Sequence, residues 1–133
     1  MGANEMLVKR KILVIEDNPD NLHLITYLLK SAGYEPLIAI DGIEGLAVAK
    51  RELPNLALCD MQMPNKDGYE VAREFQSDPA LRMIPLIAIT SYAMVGDRER
   101  ILAAGFDHYI AKPIRPETFV QEVESLLNSI DPQ

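Results

Sequence analysis

Short apolar runs recur along the chain, separated by longer stretches with helical spacing. Lys11-Ile12-Leu13-Val14-Ile15 is rich in β-branched residues and is predicted as the first strand. Leu22, Ile25, Leu28 and Leu29 then repeat at helical intervals. That helix has Asn18 as N-cap and Pro19 in its first position, and Gly33 stops it. Pro36 to Ile40 is a second strand, which Pro36 places at a sheet edge or near the strand's own start. Asp41 and Glu44 have capping-box spacing and open a helix through Leu46, Ala47 and Lys50, which Pro54 ends. Leu56-Ala57-Leu58-Cys59 places four apolar residues before Asp60, the pattern of a strand buried on both faces. A loop over 63–68 leads to a helix carrying Val71, Ala72 and Phe75. Leu86 to Thr90 is a fourth strand, and Ala93 to Ala104 a short helix ended by Gly105. Tyr109 to Lys112, followed by Pro113, is the fifth strand. Pro116 begins a last helix whose Phe119, Val120, Val123, Leu126, Leu127 and Ile130 form one apolar stripe.

Strand followed by helix, five times over, predicts an α/β fold: a doubly wound parallel sheet with helices on both faces. No repeat, low-complexity tract or linker divides the 133 residues, which suit one domain over 9–130 after a tail over 1–8. A hydrophobic content of 48% with 25% charged residues is ordinary for a globular protein. The net charge of -7, with no dense basic run, argues against direct nucleic-acid binding through phosphates. Cys59 is the one cysteine, so no intramolecular disulfide forms and a reducing compartment fits. No apolar stretch approaches the roughly 20 residues of a membrane span. With no signal-peptide pattern either, a cytoplasmic location is expected.

The chemistry lies at the ends of the strands. The first ends in Glu16 and Asp17, the third in Asp60, the fourth in Thr90 and the fifth in Lys112. In a parallel sheet these ends share one edge, where such folds bind ligands. Three clustered carboxylates repel one another and call for a cation. Mg²⁺ fits, because it takes hard oxygen ligands and uses one or two carboxylates together with phosphate and water. Lys112 suits a phosphoryl oxygen as a point charge, and Thr90 suits another as a hydrogen-bond donor. The implied reaction is phosphoryl transfer to a carboxylate.

These residues carry a resemblance. Glu16-Asp17, Asp60 in a D-x-x-M-P-x-x-D-G context, Thr90, and Tyr109-x-x-Lys112-Pro113 resemble the signature of the receiver domain of two-component response regulators. The likeness covers essentially the whole chain and is similar to single-domain regulators of the chemotaxis and cell-division types. It implies a flavodoxin-like (α/β)5 fold with strand order 2-1-3-4-5. It also implies that Asp60 is the phosphoacceptor, taking its phosphoryl group from a histidine kinase or histidine phosphotransfer protein in a phosphorelay. Glu16, Asp17, Asp60 and the Gln62 carbonyl would hold Mg²⁺, and Thr90 and Lys112 would bind the phosphoryl oxygens. Tyr109 would act with Thr90 as the switch, Lys112–Pro113 would be cis, and Gln62 and Tyr92 would flank the phosphate. The output face toward a downstream protein would be the fourth helix, fifth strand and last helix. The chain would catalyse only its own phosphorylation and dephosphorylation.

Taken singly, each residue has a plainer reading. Glu16-Asp17 is a solvated turn, Thr90 a strand-end hydroxyl, Lys112 a surface charge and Tyr109 half-buried packing. Cys59, on a buried strand, is expected to be an inert core thiol. His23 and His108 have no second ligand at metal spacing and are expected at the surface. An aspartyl phosphatase on this fold commonly has a second acid two residues after the nucleophile, and Gln62 stands there. A flavin or nucleotide binder would need Gly or Ser/Thr after the first strand, where Glu16-Asp17-Asn18-Pro19-Asp20 would repel phosphate. A non-phosphorylated scaffold would not need the acids, Thr90 and Lys112 together.

Overall fold

The computed structural model describes residues 9–63, 66–91 and 95–130. The expected tail over 1–8 and the first residues of the expected fourth helix, Ala93 and Met94, lie outside them. The strands are β1 (Lys11–Ile15), β2 (Glu35–Ala39), β3 (Leu56–Asp60), β4 (Leu86–Thr90) and β5 (His108–Ala111). The helices are α1 (Pro19–Ser31), α2 (Gly42–Glu52), α3 (Gly68–Ser77), α4 (Val95–Ala103) and α5 (Pro116–Ile130), with a short 3₁₀ turn at Leu81–Met83. All strand pairs are parallel and run in the order β2-β1-β3-β4-β5, as the resemblance implied.

The two faces of the sheet follow the alternation of side chains along each strand. Ile12, Val14, Leu56, Leu58, Ile87, Ile89 and Ile110 pack with α1 and α5. Leu13, Ile15, Ala57, Cys59, Leu86 and Ala88 pack with α2, α3 and α4. β3 and β4 are buried along their whole length, as continuous apolar runs require in the middle of a parallel sheet.

Local signals set the helix ends. Asn18 caps α1 by accepting from Asn21 N at 2.9 Å, with Pro19 opening the helix. Gly33, at φ 95, turns the chain where a side chain would be strained. Asp41 caps α2 by accepting from Glu44 N at 2.8 Å. The Glu44 side chain does not close the expected box on the Asp41 N–H. It reaches one residue further and accepts from Ile40 N at 2.8 Å. β2 ends at Ala39, where pairing with β1 stops, one residue before the expected boundary. Asp67 and Glu70 form a complete capping box at α3, which the sequence reading did not identify. Gly68, which opens that helix, lies so close to the β3–α3 loop that a Cβ there would collide with Met61.

Candidate functional site: the acidic edge of the sheet

Backbone pairing carries the ladder one residue past the strand ends, and this fixes the site. Glu16 N donates to Ala39 O at 3.0 Å, Met61 N to Ile89 O at 3.0 Å, and Lys112 N to Thr90 O at 2.8 Å. Glu16, Asp60, Thr90 and Lys112 therefore stand side by side along one edge, although nearly a hundred residues separate the first from the last. Glu16, Asp60 and Thr90 are buried, while Asp17 is exposed.

Asp60, 1% exposed, is held tightly. Its Oδ1 accepts from Lys112 Nζ at 2.9 Å and from Gln62 N at 3.0 Å. A buried carboxylate is tolerated when a cation and a second donor share its charge. The Lys112–Pro113 peptide bond next to that cation is cis.

Glu16 is in the opposite condition. Its Oε2 accepts from Asn18 N at 3.0 Å, but its Oε1 is buried with no hydrogen-bond partner among the described residues. Burial pushes its carboxyl up from 4.5 to about 7, and the neighbouring Asp60 carboxylate adds to the rise. One carboxylate oxygen from each of Glu16, Asp17 and Asp60 lies within 4.8 Å of the other two. An orphaned buried oxygen in an all-carboxylate donor set fits a hard divalent cation, which would supply the missing partner.

Thr90 Oγ1 accepts from the Gln62 side chain, Nε2, at 3.2 Å. Tyr109, half-buried, packs against the core under α4, and the Arg98 guanidinium of α4 lies 5.4 Å from its ring centroid. Neither contact was legible in the sequence, because both depend on which way a side chain turns from a neighbouring element. Tyr92, expected beside the phosphate, lies outside the described residues, as do Pro64 and Asn65 of the motif after Asp60. Cys59 faces the core as expected, and burial raises its thiol far above the ordinary range, with the Asp60 and Glu16 carboxylates adding to the rise. His23 and His108 are exposed.

This geometry belongs to a class of phosphoryl-handling signalling modules, and comparison with known proteins fixes which one. The sequence model of the response regulator receiver domain matches residues 12–124, and the chain belongs to that family. It is 39% identical over 118 residues to the polar-differentiation response regulator DivK of Brucella anthropi, covering 89% of this chain and 96% of that one. Among solved structures, it is similar to the receiver domain of the sensor histidine kinase PA1611 of Pseudomonas aeruginosa PAO1. That likeness has 36% identity and a TM-score of 0.80, and covers 92% of this chain and 97% of that one. The Pseudomonas structure has a magnesium ion coordinated in its active site cleft. A CheY-like receiver protein from Methanospirillum hungatei JF-1 is 30% identical with a TM-score of 0.84, covering 93% and 98% of the two chains. Receiver domains are signalling proteins of two-component systems rather than classical enzymes, and they interact with histidine kinases and downstream targets. No helix among the described residues is long and apolar enough to cross a membrane.

Proposed function

We propose that residues 9–130 form a receiver unit in which Asp60 accepts a phosphoryl group from the phosphohistidine of a kinase or phosphotransfer protein in the cytoplasm. The observation that carries this reading is the pairing of Asp60 with Lys112 beside the orphaned oxygen of Glu16. A carboxylate oxygen of Asp60 attacks phosphorus, the P–N bond breaks, and its electron pair leaves with the imidazole nitrogen, which takes up a proton. Glu16, Asp17, Asp60 and the Gln62 carbonyl would hold Mg²⁺, which when bound offsets the negative charge gathered at the phosphoryl oxygens. Lys112 passes from Asp60 Oδ1 to a phosphoryl oxygen, and the Thr90 hydroxyl donates to another. The same groups support the chain's own phosphorylation by small donors and its later hydrolysis.

Tyr109 follows Thr90 inward and alters the face built from α4, β5 and α5, where a downstream protein binds. A cavity of about 320 Å³ lies on that face, lined by Tyr109, Ile110, Gln121 and Leu126 among others. Incubation with acetyl phosphate and Mg²⁺ should add one phosphoryl group to the intact mass. The Asp60→Asn variant, or chelation of Mg²⁺, should abolish that gain. An unchanged gain in Asp60→Asn would move the phosphoacceptor elsewhere.

A further inference from the structure

The Gln62 side chain, although the residue is exposed, is engaged with the neighbouring strand. Its Nε2 donates to Thr90 Oγ1 at 3.2 Å, and its Oε1 accepts from Ser91 N at 3.5 Å. Its own N–H donates to Asp60 Oδ1 at 3.0 Å. One residue thus bonds to the tips of both β3 and β4. Thr90 is itself buried, so water does not freely replace a donor lost from its hydroxyl. Beyond Gln62 and Thr90 lies a cavity of about 170 Å³, lined also by Asp67, Tyr69, Arg100 and Ile101. At roughly 30 Å³ per water it holds several, which leaves room for the amide to swing aside without unpacking the core.

We propose that Gln62 is a resting-state latch: its amide holds the Thr90 hydroxyl at the tip of β4, and that bond must break before Thr90 can turn to a phosphoryl group on Asp60. The inference rests on the reading of Asp60 as phosphoacceptor. It makes Gln62 a positioning residue that acts through Thr90, a role separate from that of its backbone carbonyl at the metal site. A single neutral hydrogen bond biases a two-state equilibrium by between about twofold and tenfold. The latch therefore sets a threshold and does not forbid switching, since hydrogen bonds to a charged phosphoryl group are roughly twice as strong as neutral ones.

The test uses the full chain with acetyl phosphate at fixed Mg²⁺, comparing wild type with Gln62→Leu and Gln62→Met. Methionine keeps the length and bulk of the side chain while offering only a weakly accepting sulfur. Both variants should accept the phosphoryl group between about twofold and tenfold faster than wild type. Without any phosphodonor, their Thr90, Ser91 and Tyr109 amide signals should already lie part-way toward the phosphorylated positions. A purely structural role would change thermal stability without moving the Tyr109 signal. Unmoved resting signals, or slower phosphorylation in both variants, would overturn the latch and leave the Asp60 reading standing. A wild-type chain that takes no phosphoryl group would overturn both.

Discussion

α4 and α5 cover β5 from opposite faces of the sheet, and they are anchored very unequally. α5 buries Phe119, Val123 and Leu127, with Val120 and Leu126 partly covered. α4 buries one of its described side chains, Ile101, and turns Arg98, Glu99 and Leu102 to solvent. A fully buried large apolar side chain contributes about 1.5–3 kcal/mol. Three anchors against one make α5 the more firmly held wall of β5 and α4 the side that costs less to shift. Tyr109 projects toward the α4 side, where Arg98 meets its ring. A switch works only if the element it moves costs less to shift than the signal supplies.

The comparison can be broken most directly at α5. Phe119→Ala should lower global stability by about 3–5 kcal/mol in urea unfolding. Amide exchange in α4 should then keep its wild-type opening energy, because Phe119 stays native while α4 opens alone. Equal losses of protection in both helices would show that they unfold as one unit.

A second test leaves both helices untouched and changes Glu16. Its raised value means that, between about pH 4.5 and 7, the native state holds a proton the unfolded chain has released. Metal-free stability is therefore complete below the ordinary carboxyl range and falls as pH rises through about 7. The loss is on the order of 1–2 kcal/mol, allowing for solvent screening. Saturating Mg²⁺ should remove it by giving the ionised carboxylate a partner. In exchange measurements the α5 amides should follow this pH dependence, and the α4 amides, which open with Glu16 still in place, should not. A flat metal-free profile would contradict the burial of Glu16 as a strained acid.

The smallest effect belongs to α4 itself. Arg98→Ala should cost no more than about 1 kcal/mol, the range of an exposed cation–π contact. It should nevertheless shift the Tyr109 ring signals in the unphosphorylated protein. Unshifted ring signals would mean that α4 does not hold the tyrosine.

The sequence made the sheet and the acid cluster legible for one physical reason. A buried parallel strand must be apolar until it reaches the edge of the sheet, so a charge marks its end, as Asp60 and Glu16 both do although each is itself buried. Convergence at one edge then follows from topology alone. What stayed hidden was side-chain direction. Nothing in the spacing shows that Glu16 is buried while Asp17 beside it is exposed. Gln62 was expected to offer a carbonyl to the metal and to flank the phosphate, and the reach of its amide to Thr90 was not legible beside those roles. The β2 boundary moved by one residue because pairing with β1 runs from Glu35 to Ala39, and Glu44 took the Ile40 N–H rather than that of Asp41, details that periodicity does not settle. β5 likewise begins at His108, where pairing with Ile87 starts.

That Glu44 bond also bears on how copies of this protein meet. In β2, Glu35 N donates to Arg10 O and Ala39 O accepts from Glu16 N, so residues 35, 37 and 39 face β1. Residues 36, 38 and 40 then face outward along the open rim. Pro36 has no N–H to offer, and the Ile40 N–H is already taken by Glu44. Ile38 alone is left to donate, between two closed positions, although its side chain is 49% exposed and β-branched. A second copy arriving strand to strand would find no run of donors to zip against. The bond at the entry to α2 thus also blunts an open edge of the sheet.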